Sequence, residues 1–261
     1  MGRETASATS RPGNSGALPQ LDAQRDALVL DIDGTIIDIA PTPESVIVPE
    51  SLKLSLSRLC ETLGGALALS SGRTIAAIDE LFAPLKFVAA GCHGAELRLD
   101  PHTPLQHCAA PVSSAEKAVF AEIGKLDPRI RTEDKVYTFA IHYRSAPELE
   151  DTLFAMVNTR VHELESNLEV MSGKAVIEIK EPGFNKGTGL RRIMEIAPFA
   201  GRRPVFLGDD VTDEDAFAVL PEFSGLGISV GRLLPGASCT VRSPADVRDW
   251  LARMADGGRT P

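Results

Sequence analysis

Ala27-Leu28-Val29-Leu30-Asp31-Ile32-Asp33-Gly34-Thr35 runs four apolar residues straight into two aspartates and a glycine. A strand buried on both faces of a parallel sheet reads as such an unbroken apolar run, and its end delivers polar groups to the sheet edge. Downstream, Leu52, Leu56, Leu59 and Leu63 recur at helical spacing over 49–63, and Gly64-Gly65 stops the helix. A second apolar strand over 66–69 ends at Ser70-Ser71-Gly72-Arg73, a helix is predicted over 75–82, and a third strand over 87–90. This β-α-β-α-β alternation predicts an α/β fold with a doubly wound, Rossmann-like parallel-sheet core and right-handed crossovers.

The pattern changes after about Pro104. A helix over 114–126, an alternating strand over 136–143, a helix over 147–164 and strands over 168–171 and 175–179 follow α+β logic. Residues 109–180 are therefore expected as an inserted α+β unit within a core formed by 27–108 and 181–254. The core resumes with a helix over 187–196, a strand over 204–207 that ends at Gly208-Asp209-Asp210, a helix over 213–220 and a last strand over 227–230. Residues 1–26, rich in Ser, Thr, Gly and Pro, read as a disordered tail without the apolar run of a secretory signal, and 255–261 as a frayed end.

Hydrophobic residues make up 43% and charged residues 24% of the 261, an ordinary globular composition. A net charge of -9 argues against a nucleic-acid or anionic-membrane surface, and no stretch approaches the apolar length of a membrane span. The four cysteines show no CxxC spacing, which fits a reducing, cytoplasmic setting.

Two strand ends carry the carboxylates: Asp31 and Asp33 on one, Asp209, Asp210 and Asp213 on the other. Ligands of doubly wound sheets bind beyond the carboxyl ends of the strands, so the two sets can converge, and clustered carboxylates suit a hard cation such as Mg²⁺. Taken singly, each motif reads equally well as a tight turn or a helix cap. Ser71 with Gly72 offers a hydroxyl and an amide to a phosphate, and Lys186 offers a compact positive charge just before a helix.

In this order and on these elements, the four motifs resemble those of the haloacid dehalogenase superfamily. The resemblance implies Asp31 as nucleophile, Asp33 as general acid and base, and Ser71, Gly72 and Lys186 as holders of the phosphoryl group. It implies Mg²⁺ held by Asp31, the Asp33 carbonyl and Asp209, with Asp213 acting directly or through water; superfamily motifs differ at Asp210. Longer segments narrow the family: Gly91-Cys92-His93-Gly94, Glu133-Asp134-Lys135, His142-Tyr143-Arg144, Val176-Ile177-Glu178-Ile179-Lys180, Phe184-Asn185-Lys186-Gly187 and Gly208-Asp209-Asp210-Val211-Thr212-Asp213-Glu214. Over residues 27–230 the chain is similar to trehalose-6-phosphate phosphatases. That similarity makes 109–180 a cap domain, trehalose 6-phosphate the small-molecule substrate and a monomer the expected state. It adds Arg73, His93, Gly94, Glu133, Lys135, Glu178 and Asn185 as substrate-binding residues. Hinges are expected around 107–111 and 181–183. Read without the resemblance, Glu133 and Lys135 are an exposed turn with a weak ion pair and Glu178 an outward strand residue. Ile32 stands where the family commonly has Phe. Another sugar-phosphate phosphatase, a phosphomutase and a non-catalytic sugar-phosphate sensor are the competing readings.

Overall fold

A computed structural model describes residues 18–40, 45–173 and 175–257. The deciding apolar run forms strand β1 (Asp26–Leu30), buried at every position. It is followed by α1 (Glu50–Thr62), β2 (Leu67–Ser70), α2 (Ile75–Phe82), β3 (Val88–Gly91), β4 (Glu96–Arg98) and β5 (Gln106–His107). The middle of the chain forms α3 (Ser114–Gly124), β6 (Arg131–Asp134), β7 (Thr138–His142), α4 (Glu150–Glu163), β8 (Glu169–Gly173) and β9 (Val176–Lys180). It closes with α5 (Lys186–Met194), β10 (Arg203–Gly208), α6 (Val211–Val219), β11 (Leu226–Val230), β12 (Cys239–Val241) and α7 (Pro244–Ala255).

The first and last thirds share one sheet of order β12-β11-β10-β1-β2-β3-β4-β5, parallel from β12 to β3 and antiparallel beyond. β1 lies between β10 and β2, where the strand order reverses, the position at which doubly wound sheets hold ligands. Register sets the site: Leu30 pairs with Leu207, and Asp31 N donates to Leu207 O at 2.9 Å. Asp31 and Asp209 therefore leave the sheet side by side.

The middle third builds a separate antiparallel sheet, β6-β7-β9-β8. Period-two alternation gives it two faces. Phe139, Ile141, Ile177 and Ile179 pack with Phe120, Ile123, Leu153 and Val157 of α3 and α4 in an apolar cluster of their own. The alternate positions Glu133, His142 and Glu178 line a cleft.

Several elements depart from the sequence reading. The strand β6, where no element was expected, has no apolar residue, and its backbone pairing to β7 holds it in place. β4 is only three residues long with one apolar position, Leu97, and its Arg98 is buried with a bidentate bond to Asp79 at 2.6 Å. β12 and α7 lie beyond the last strand expected, although Ser243 as cap and Pro244 in the first turn are an ordinary helix start. Residues 18–25, expected in the tail, are packed: Leu18 and Leu21 lie on the main core, and Trp250 Nε1 donates to Pro19 O at 2.9 Å. At the other end Met254 and Ala255 also pack on the core. The remaining tail positions, 1–17 and 258–261, lie outside the described residues, as does Lys174. The four cysteines are free, and no helix among the described residues is long and apolar enough to cross a membrane.

Trp250 is 1% exposed and ties α7 to both the core and the N-terminal segment. Trp250→Ala is expected to lower the unfolding free energy by about 3–5 kcal/mol through lost burial and a residual cavity, measured by urea denaturation.

Candidate active site

Asp31 follows β1 directly and is 4% exposed. Gly34 turns the chain beneath it with φ +87, in the left-handed region, and any Cβ there would fall inside the Asp209 carboxylate. The turn brings Thr35 back so that its hydroxyl donates to Asp31 Oδ2 at 2.9 Å. The sequence reading gave Thr35 no role, though it closes the quoted motif.

Lys186 opens α5, and Asn185 caps that helix by accepting the Thr188 amide at 2.8 Å. From there Lys186 Nζ donates to Asp31 Oδ1 at 2.7 Å and to Asp213 Oδ1 at 2.6 Å. Asp213 stands in the first turn of α6, and its other oxygen accepts the Asp209 amide at 2.9 Å and the Asp210 amide at 3.0 Å. Both Asp213 oxygens are thus committed to positioning Lys186 and the loop after β10. Asp210 serves as the cap of α6 and bonds Val211 N.

Three carboxylates, Asp31, Asp209 and Asp213, each offer an oxygen within 4.8 Å of the others. All are buried, and Lys186 is the ammonium among them. Three carboxyl groups around one ammonium present hard oxygen donors, and that arrangement fits a divalent cation such as Mg²⁺. Burial pushes the Asp31 carboxyl up to about 7, against the pull of Lys186 and helped by Asp213. Burial disfavours the Lys186 charge, but Asp213 and Asp31 together hold its pKa above the ordinary lysine range.

At the neighbouring strand end, Ser71 and Gly72 follow β2. Ser71 is 1% exposed, and its Oγ accepts the Arg73 amide at 3.2 Å. Arg73, expected at the substrate, grips Asp33 bidentately at 2.6 and 2.7 Å. The guanidinium fork fixes both oxygens of that carboxylate.

The antiparallel sheet supplies the opposite wall. Lys135 Nζ donates to Glu178 Oε1 at 2.6 Å, and His93 Nε2 contacts the other Glu178 oxygen. Burial would keep Glu178 neutral, yet His93 and Lys135 hold its carboxyl well below the usual range. Glu133 bonds His142 at 3.0 Å and lies 4.0 Å from Lys135. The exposed-turn reading of Lys135 and the outward-strand reading of Glu178 fail here, since Glu178 is 5% exposed and meets both the Lys135 ammonium and the His93 ring.

A cleft of about 780 Å³ joins these groups: Asp31, Asp33, Ser71, Gly72, Arg73, His93, Glu133, Lys135, Glu178, Lys186 and Asp209 all line it. Two residues expected to bind substrate stand behind it. Asn185 is occupied as a helix cap, and Gly94 packs on the Asn185 carbonyl with φ +102. A backbone motif cannot announce from sequence which way its side chains point. Arg131, Thr132 and Glu80 also line the cleft and carried no signal.

The trehalose-phosphatase family model matches residues 29–240. The chain is 37% identical to the trehalose-6-phosphate phosphatase of Escherichia coli K12 over 89% of its own length and 87% of that protein. It is 38% identical to a probable trehalose-phosphate phosphatase of Sinorhizobium fredii over 90% and 89% of the two chains. Its fold is similar to that of the C-terminal domain of the C. albicans trehalose-6-phosphate phosphatase, with a TM-score of 0.78, 22% identity, and coverage of 94% of this chain and 99% of the other.

The Asp31 environment has a thermodynamic consequence. A carboxyl raised from 3.8 to about 7 keeps its proton in the folded state while the unfolded chain has lost it, so between these values stability falls as pH rises. In chelator, the thermal midpoint of the wild-type protein is expected to drop more steeply from pH 5 to 7 than that of Asp31→Asn, which lacks this carboxyl. Parallel curves would contradict the assignment.

Proposed function

We propose, from the premise that the chain belongs to the trehalose-phosphatase family, that it hydrolyses trehalose 6-phosphate to trehalose and phosphate through an aspartyl-phosphate on Asp31. The observation that carries this reading is the buried Asp31 carboxylate at the floor of the cleft, flanked by Lys186 and Ser71 and facing Lys135 and Glu178.

The Asp31 carboxylate attacks phosphorus and the bond to the sugar O6 breaks, with Asp33 giving that oxygen a proton as it leaves. Asp33 then takes a proton from the water that attacks phosphorus, and the bond to Asp31 breaks, returning the carboxylate. Ser71 Oγ, the Gly72 amide and Lys186 Nζ hold the phosphoryl oxygens while their charge shifts. When bound, Mg²⁺ would be held by Asp31, Asp209 and the Asp33 carbonyl, and would supply neutralisation of phosphate charge. Asp213 acts behind that set, since its oxygens hold Lys186 and two loop amides. Arg73 orients the Asp33 carboxylate.

Residues 109–180 act as the cap that reads the sugar. Its separate sheet and apolar cluster support that division. Contacts with the parallel-sheet portion support a closed position: Arg144 donates to Ala40 O at 2.5 Å, His93 meets Glu178, and Gly173 approaches Asp210. Glu133, Lys135 and Glu178 offer charged partners to sugar hydroxyls, the strongest kind of hydrogen bond for that purpose. Closure excludes water until the phosphoryl group has moved, with hinges around 107–111 and 181–183.

Phosphate release from trehalose 6-phosphate, sucrose 6-phosphate, glucose 6-phosphate and a mannosyl phosphate tests this reading. Preference for trehalose 6-phosphate, dependence on Mg²⁺ and loss of activity in Asp31→Asn on the order of 10⁴-fold are expected. Preference for another sugar phosphate would overturn the substrate assignment, and release by Asp31→Asn at the wild-type rate would overturn the nucleophile. Lys135→Ala is expected to lower kcat/KM for trehalose 6-phosphate about 10- to 100-fold by removing a charged hydrogen-bond donor.

A further inference from the structure

The turn after β3 is strained in a way nothing in the chemistry above requires. Cys92 and His93, neither of them glycine, have φ of 46 and 55 in succession. Consecutive non-glycine residues in the left-handed region are costly and persist where the surroundings over-determine them. Here two sets of contacts do so. On one side, Cys92 N donates to Arg73 O at 2.8 Å and His93 N to Ser71 O at 3.0 Å, so the turn clamps the loop Ser71-Gly72-Arg73 at both ends. The His93 ring lies on Gly72, where a Cβ would stand 2.6 Å from Nε2. On the other side, Cys92 Sγ contacts Lys135 O at 3.7 Å, and His93 Nε2 touches Glu178 Oε2 without hydrogen-bond alignment. His93 is 5% exposed, and its Nδ1 has no hydrogen-bond partner among the described residues.

The same two residues thus touch the loop that faces the phosphate and the carboxylate that faces the sugar. We propose that His93 is a positioning residue that couples occupancy of Glu178 and Lys135 by sugar hydroxyls to the placement of the Ser71-Gly72-Arg73 loop. Phosphoryl transfer is then fast only when a sugar is bound. A sugar hydroxyl engaging Glu178 fixes that carboxylate, the carboxylate fixes the imidazole, and the imidazole fixes Gly72. Because Arg73 holds Asp33, the loop's placement also sets the acid that protonates the leaving oxygen. The inference rests on the sugar-phosphate phosphatase reading and adds to it the link between recognition and rate.

The test compares wild type, His93→Asn, Glu178→Gln and the double variant in Mg²⁺, with trehalose 6-phosphate and with p-nitrophenyl phosphate, which has no sugar hydroxyls. Asn enters the left-handed region more readily than most residues but is too short to span Gly72 and Glu178, so it removes the link with least disturbance to the backbone. Each single variant is expected to lower the ratio of kcat/KM for trehalose 6-phosphate to that for p-nitrophenyl phosphate about tenfold or more, with the loss on the sugar substrate appearing in kcat. The double variant is expected to be no worse than the weaker single. Equal losses on both substrates, a loss confined to KM, or single losses that multiply would each overturn the coupling. Should His93→Asn fail to fold, Glu178→Gln decides alone by its kcat against KM. If wild type turns over a different sugar phosphate, that substrate replaces trehalose 6-phosphate in the same comparison, which separates failure of the substrate reading from failure of the link.

Discussion

Lys186 Nζ lies 2.7 Å from Asp31 and 2.6 Å from Asp213, and all three side chains are withdrawn from water. Taking such charges out of water is costly, and removing one partner of a buried ion pair typically destabilises by about 3–5 kcal/mol. The surrounding fold is arranged around satisfying this group. Level pairing of β1 with β10 brings Asp31 beside the Asp209 loop. The Asn185 cap fixes the first turn of α5 so that Lys186 points into the cluster. The first turn of α6 supplies Asp213, whose second oxygen binds two amides of the loop it supports. The three carboxyl groups gathered there offer the hard oxygen donors that suit a divalent cation.

A second charged group balances the first across the cleft. Glu178, Lys135 and His93 form a set withdrawn from water in which contacts with His93 and Lys135 hold the Glu178 carboxyl well below its usual range. Both groups depend on low solvent access, which strengthens every charge interaction within them. The strained turn at Cys92 and His93 touches both the phosphate side, at Ser71, Gly72 and Arg73, and the sugar side, at Glu178. On the proposed reading, the cleft separates two tasks, displacement at phosphorus and discrimination among sugars, and one imidazole joins them.

The parallel sheet and the convergence of Asp31, Lys186, Asp209 and Asp213 were legible because buried strands of a doubly wound sheet leave long apolar signatures with polar residues at their ends. β4 and β6 were not legible, since Glu96, Arg98, Arg131 and Glu133 carry no apolar alternation, and pairing with a neighbour decides their conformation. Arg73 was visible as a residue of the site but not as the partner of Asp33. Asn185 and Gly94 lie in loops of the site but do not line the cleft, Asn185 being engaged as a helix cap and Gly94 in a left-handed turn. Residues 18–25 escaped notice because their apolar anchors are only Leu18 and Leu21, and the bonds from Trp250 and Arg202 go to backbone carbonyls that composition does not reveal.

The central claim is that the buried Asp31 carboxylate takes the phosphoryl group. Its most direct test is acid quenching of Asp33→Asn during turnover of p-nitrophenyl phosphate, whose phenolate leaves without the proton that Asp33 gives a sugar oxygen, with Mg²⁺ present, followed by mass spectrometry of the peptide that contains Asp31. The account predicts a phosphorylated Asp31, accumulating because the variant lacks the base that activates water. Turnover by the variant with no phosphate on any peptide, or phosphate on a residue other than Asp31, would contradict it.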